Sequence, residues 1–236
     1  HVTGVQTCAL PIYEAGPAPP GHGLHSSEFG IVTPMLPLLL ATALAVTAES
    51  PGPGVPETLA QERAAAFSQV RYELAFNIPA ARTAAIQGRA IVRLNLRSPH
   101  RVVLDFTGQT SRLTVNGNAA DYTAVDGHLI VPAASTRPGE NEIAIEFTAG
   151  DEALNRNDDF LYTLFVPARA RLVFPSFDQP NIKARYALTL TVPDGWQAVA
   201  NGAVAASEVA DGVHTVRFVE TRSEEHTSEL QSRETI

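Results

Sequence analysis

Arg171 to Gly202 reads RLVFPSFDQPNIKARYALTLTVPDGWQAVANG, a proline-bounded loop set directly before a strongly alternating strand. Pro175 and Pro180 fix φ and remove two backbone donors, so Ser176-Phe177-Asp178-Gln179 sits between two rigid posts with an acid at its centre. The strand, Tyr186 to Val192, stops at the Pro193-Asp194-Gly195 turn. The rest of the chain repeats this grammar of short strands between turn dipeptides.

Upstream, Glu57 to Gln69 (ETLAQERAAAFSQ) is helix-prone through its Ala, Leu, Glu and Gln content. From Val70 the period switches to two: Val70, Tyr72, Leu74, Phe76 and Ile78 alternate with polar or small residues. Ile91, Leu94 and Leu96 mark a second strand and Val102 to Phe106 a third. Turns are signalled at Asn116-Gly117, Asp126-Gly127, Pro138-Gly139, Asp194-Gly195, Asn201-Gly202 and Asp211-Gly212, with LIVP, NEIAIEFTA, FLYTLFVP and HTVRFV between them. No helical period recurs. The expectation is an all-β, antiparallel domain with several sheets or one strongly bent sheet, preceded by a short helix.

FPSFDQP with the following NIKA resembles the FP(C/S)FD(E/Q)P-x-x-KA segment of the aminopeptidase N family of zinc metallopeptidases. Phe174, Pro175, Phe177, Asp178, Pro180, Lys183 and Ala184 all fall in register, followed by LTLTVP-x-x-W and ANG. The likeness extends over Leu59 to Gly202, through VRYELAFNIP, LTVNG, GHLIVP and RPGENEIAIEFTAG. It implies the saddle-shaped N-terminal β domain, which in that family packs against a thermolysin-like catalytic domain and closes one side of the cleft. It also implies metal-assisted hydrolysis of peptides at a free N-terminus, with zinc held by two histidines at i and i+4 plus a glutamate.

Those catalytic parts are not in this sequence. His1, His22, His25, His100, His128, His214 and His226 form no HExxH, and there is no GxMEN segment. The chain therefore reads as a fragment, inactive by itself, with zinc assigned to the parent's catalytic domain. What the domain lends to the family's site is a Gln or Glu about ten residues before FP(C/S)FD. Counting back from Pro175 without gaps puts the two polar positions at Leu164 and Val166, both apolar here. Either the amine is anchored wholly from the catalytic domain, the preferred reading, or the register shifts and Asp158 or Asp159 approaches instead.

Other candidates have structural readings. Asp178 is expected to order its own loop by accepting neighbouring N–H bonds, Lys183 to be exposed, with pairing to Asp178 or reach to the catalytic domain as alternatives, and Trp196, Phe174 and Phe177 to fill the core or an interdomain contact. Ser176 has no evident His/Asp partner for nucleophilic work. An exposed apolar face is expected around Phe160 to Phe177.

The ends are set apart. Val2 to Ile12 and Arg222 to Ser232 resemble translations of one sequencing-adapter oligonucleotide on opposite strands, so residues 1–12 and 222–236 are taken as foreign to the fold. The first contains the lone cysteine, Cys8. The second carries Glu224, Glu225, Glu229 and Glu234 against Arg222 and Arg233, so the formal charge of −8 shrinks to −6 without them. Residues 13–34 read as unstructured, His22 and His25 included, and 35–48 (MLPLLLATALAVTA) as a signal peptide for export, although no basic residue follows Met35. A linker at 49–56 then leads to the β domain at 57–221. Mild acidity and a single lysine, Lys183, argue against a nucleic-acid partner, and no apolar run is long enough for a comfortable membrane span. The competing reading is a stand-alone β binding or adhesion module, or a non-catalytic relative.

Overall fold

The period-two pattern does form strands. The computed structural model describes residues 50–157 and 160–221. Helix α1 (Glu57–Ala66) runs into β1 (Phe67–Asn77), followed by β2 (Gln87–Leu96), β3 (Val102–Asp105), β4 (Gln109–Val115), β5 (Asn118–Ala119), β6 (Thr123–Val125) and β7 (His128–Val131). Then come β8 (Gly139–Thr148), β9 (Leu154–Arg156), β10 (Leu161–Thr163), β11 (Arg185–Pro193), β12 (Val204–Ala210) and β13 (Val213–Phe218), with single 3-10 turns at Ala133–Ser135 and Ala170–Leu172.

Turn chemistry sets the hairpins. Asn116-Gly117, Asp126-Gly127 and Asp211-Gly212 each have positive φ at both positions. That is the type I′ geometry whose twist matches the flanking strands, and it joins β4 to β5, β6 to β7 and β12 to β13.

An eight-stranded sheet runs β12-β13-β11-β1-β2-β8-β4-β5, a three-stranded sheet β3-β7-β6, and β9 pairs with β10. Among the described residues all strand pairs are antiparallel but one: β1 and β11 are parallel, from Arg71 opposite Arg185 to Asn77 opposite Thr191. The alternating pattern could not show this, because parallel and antiparallel neighbours present the same faces. The core lies between the two larger sheets. Tyr72, Leu74, Val92, Leu94, Ile143, Ile145 and Phe147 meet Val102, Leu104, Leu129 and Val131 there. Ile91 does not join Leu94 and Leu96 on that face. Ala90 and Val92 hold those positions, and Ile91 is covered on the opposite face, in line with Glu73 and Ala144.

The three-stranded sheet is buried on both sides, which is why β3 and β7 read as continuous apolar runs. Its second face, Val103 and Ile130, packs on Leu59 of α1. By the same alternation Asp105 and His128, directly opposite each other, also face the helix. One turn beyond Leu59, α1 presents Arg63 to them.

Candidate functional site

The loop FPSFDQP lies over this polar spot. Asp105 is fully buried and Arg63 is 1% exposed. The guanidinium forks onto the carboxylate, Nη2 to Oδ1 at 2.6 Å and Nη1 to Oδ2 at 2.9 Å. Nε and Nη2 also donate to the Val103 carbonyl at 3.1 and 2.8 Å, and Nη1 to Gln179 Oε1 at 3.1 Å. The ring of Phe177 lies under the guanidinium, 5.4 Å away.

The loop backbone is pinned residue by residue. Ser176 exchanges both backbone bonds with Asp105, at 2.8 and 3.1 Å. Phe177 N–H donates to the Tyr72 hydroxyl at 2.9 Å, and Asp178 N–H to Asp105 Oδ2 at 2.8 Å. Gln179 Nε2 reaches back to the Ala60 carbonyl of α1. The organiser of the loop is thus Asp105, 73 residues upstream of Asp178. Asp178 accepts a backbone N–H, as a loop-ordering acid should, but from Arg171, seven residues upstream, at 3.3 Å to its Oδ2, which ties the loop to the 3-10 turn before it. Lys183 is exposed and has no ion-pair partner among the described residues.

The two acids titrate in opposite senses. Burial pushes Asp105 up, but the close His128 ring nitrogen, the Arg63 hydrogen bonds and the guanidinium charge outweigh it and hold the carboxyl below its ordinary range. For Asp178 desolvation wins over the Arg171 hydrogen bond, with the Asp105 charge adding to it, and the carboxyl is raised. A depressed acid stabilises the fold above its unfolded pKa and loses that contribution as pH falls through the folded value; a raised acid does the reverse. Asp178→Asn, which never bears the charge, is therefore expected to gain on the wild type as pH rises across the carboxylate range. Urea midpoints between pH 3 and 7 measure it, and a variant that loses ground with rising pH would contradict the assignment.

His128 extends the network outward: Nδ1 lies 2.8 Å from Asp105 Oδ1 without the alignment of a hydrogen bond, and Nε2 is 2.9 Å from the Gly52 carbonyl. The linker is further held by Ser50 Oγ on Asp126 Oδ2 at 2.6 Å. An acid, a histidine and a nearby serine suggest acyl-transfer chemistry, but the geometry does not provide it. The outer imidazole nitrogen is committed to Gly52, and the buried Ser176 hydroxyl has no partner among the described residues. The assembly holds a loop in one shape. Among the described residues no three His, Cys, Asp or Glu side chains converge, so the donor set here does not fit a zinc ion.

The remaining candidates lie apart from this cluster. Leu164 and Val166, 47% and 48% exposed, follow β10, and Phe160 is 47% exposed with its ring stacked on Tyr162 at 6.0 Å. The apolar surface expected over Phe160 to Phe177 is therefore confined to its first part. Phe174 and Phe177 are interior, Phe174 edge-on to Phe76 and Phe165 and Phe177 packed on Phe67. Pro175 is buried and Pro180 exposed. Trp196 is half-buried against the core. Asp158, Asp159, Cys8, His22, His25, residues 35–48 and both chain ends lie outside the described residues. No helix among the described residues is long and apolar enough to cross a membrane.

Comparison with known proteins gives one consistent answer. Aminopeptidase N of Streptomyces lividans is 28% identical over 166 residues, covering 64% of this chain and 19% of that protein. Aminopeptidase M1-D of Oryza sativa subsp. japonica is 27% identical over 171 residues, covering 64% of this chain and 20% of that protein. The chain thus spans about a fifth of the length of these relatives. An M1 zinc metallopeptidase of Deinococcus radiodurans shares the fold with a TM-score of 0.56 and 21% identity, over 65% of this chain and 38% of that one. A substrate-bound variant of the same enzyme, holding Tyr-Ser-Ala, gives a TM-score of 0.57 at 22% identity, over 67% of this chain and 40% of that one. Residues 68–224 match the Peptidase M1 N-terminal domain, two thirds of the sequence, and the chain belongs to that family.

Proposed function

We propose that this chain is the N-terminal portion of an exported zinc-dependent aminopeptidase that removes residues from the free N-termini of peptides. The observation that carries the reading is the family match over residues 68–224, together with relatives that are aminopeptidases. In this reading the exposed strip Phe160, Leu164 and Val166 packs toward the catalytic domain beside the cleft, and the pinned FPSFDQP loop fixes the strip's position through the Arg171–Asp178 bond. Leu164 and Val166 offer no polar group to the substrate amine, so anchoring of the ammonium falls to the catalytic domain. Zinc, when bound there, polarises the scissile carbonyl and activates water. Export rests on the apolar run Met35 to Ala48 and its small-residue end.

The test is to assemble the gene beyond Thr221, look for HExxH, and assay the full-length product beside this chain on alanyl and leucyl anilides with added zinc. Turnover by the full-length protein and none by this chain is expected. Turnover by this chain, or an assembled gene without a peptidase domain, would overturn the reading, the latter in favour of a stand-alone binding module.

A further inference from the structure

The eight-stranded sheet ends in two unlike edges. One is β5, only Asn118–Ala119, too short to template another strand. The other is β12, Val204–Ala210, seven residues that are all exposed and, among the described residues, paired on one side only, with β13. Apart from an irregularity at its start, between Val204 and Ala206, it is little blunted: it has no proline, no lysine, and one charge, Glu208. Val204 and Val209 are 55% and 56% exposed on it. Nearby, on β13, Arg217 is exposed and has no ion-pair or hydrogen-bond partner among the described residues.

We propose that β12 pairs antiparallel with β12 of a second copy of this chain, about a twofold axis at Ser207, extending the sheet across the dimer. The charges select that register. Ala206 lies opposite Arg217 in the β12–β13 ladder, and Glu208 is on the same face as Ala206. A twofold at Ser207 puts the partner's Glu208 directly opposite Ala206. The row across the dimer is then Arg217, Ala206 and the partner's Glu208, with the two charged Cα atoms about 9–10 Å apart over two strand spacings. Alanine is too short to intervene, so the long side chains meet above it, and symmetry repeats the pair. No like charges face each other. Main-chain bonds supply the attraction and the ion pairs the register. A single strand pair buries less than the ~1,000 Å² of a standard interface, so the dimer is weak and reversible.

Sedimentation of the full chain over a concentration series is expected to show a monomer–dimer equilibrium, with amide exchange slowed by association across Val204–Ala210. Glu208→Arg and Arg217→Glu should each abolish the dimer over the same range, and the double reversal Glu208→Arg/Arg217→Glu should restore it. All are exposed positions, and circular dichroism checks that each variant is folded. A wild type that stays monomeric, a dimer indifferent to the single reversals, or a double reversal that fails to restore association would overturn the proposal.

Discussion

Replacing Arg63 by methionine is expected to cost about 3–5 kcal/mol, enough to leave a marginally stable domain largely unfolded. The methionine fills much of the same volume, so the loss is not a cavity. Asp105 would remain fully buried with its bidentate partner gone, and the Val103 carbonyl and Gln179 would lose donors with it. Lysine should recover only part, since an ammonium cannot fork onto a carboxylate while bonding Val103 and Gln179. The decisive variant is Arg63→Met/Asp105→Leu. Removing both partners leaves no uncompensated charge, so the double variant should be more stable than Arg63→Met alone by urea denaturation. The FPSFDQP loop should still loosen in it, because the Asp178 N–H loses the carboxylate it donates to. Fast exchange of that amide in a folded double variant is the expected signature, and a double variant no better than the single would refute the account.

Phe147→Ala should be nearly as damaging, at about 3–5 kcal/mol. Its ring is 1% exposed and lies edge-on to Phe106 at 5.2 Å and to Phe76 at 5.9 Å, so truncation opens a void at the centre of the main core. Gly88 lies against the same ring. A Cβ placed there would be 2.3 Å from Phe147 Cζ, and Gly88→Ala alone should cost ~1–3 kcal/mol through displacement of the ring. Combined, the two should cost less than their sum by about 1 kcal/mol or more, since the new methyl enters the space the ring vacates. Additive effects in a thermal or urea double-mutant cycle would show that the ring and the glycine are not in register.

These two sites differ in how much of them the sequence discloses. NEIAIEFTAG alternates cleanly, so Phe147 is legible as a core residue from the pattern alone, and the I′ turns are legible because only certain residues accept positive φ twice running. Arg63 is not legible. In ETLAQERAAA it looks like any solvated helical arginine, and its partners are 40 and 42 residues away on a strand. A signal existed in Asp105, an acid inside the apolar run VVLDF, where a carboxylate must find a buried cation. Nothing local says which. The FPSFDQP motif was visible, but the reason for its rigidity lies in β3 and α1, so reading the loop alone credits Asp178 with work done by Asp105. Leu164 and Val166 mark the other limit: a count finds their positions, but the exposure of both side chains is set by the fold and is not written in the pattern FLYTLFVP.

The one parallel pairing carries a consequence for biosynthesis. β1 lies in the middle of the large sheet, hydrogen-bonded on one side to β2, which follows it within a few residues, and on the other to β11. Arg71 cannot meet Arg185 until the ribosome has made everything between them, on the order of 6–20 s of translation at ~5–20 residues per second. Throughout that interval the nascent chain holds a half-built sheet whose central strand is its open margin. Such a margin is an opening for chaperones and for mispairing alike, and the order of synthesis makes β11, not the hairpins, the strand whose arrival closes the fold.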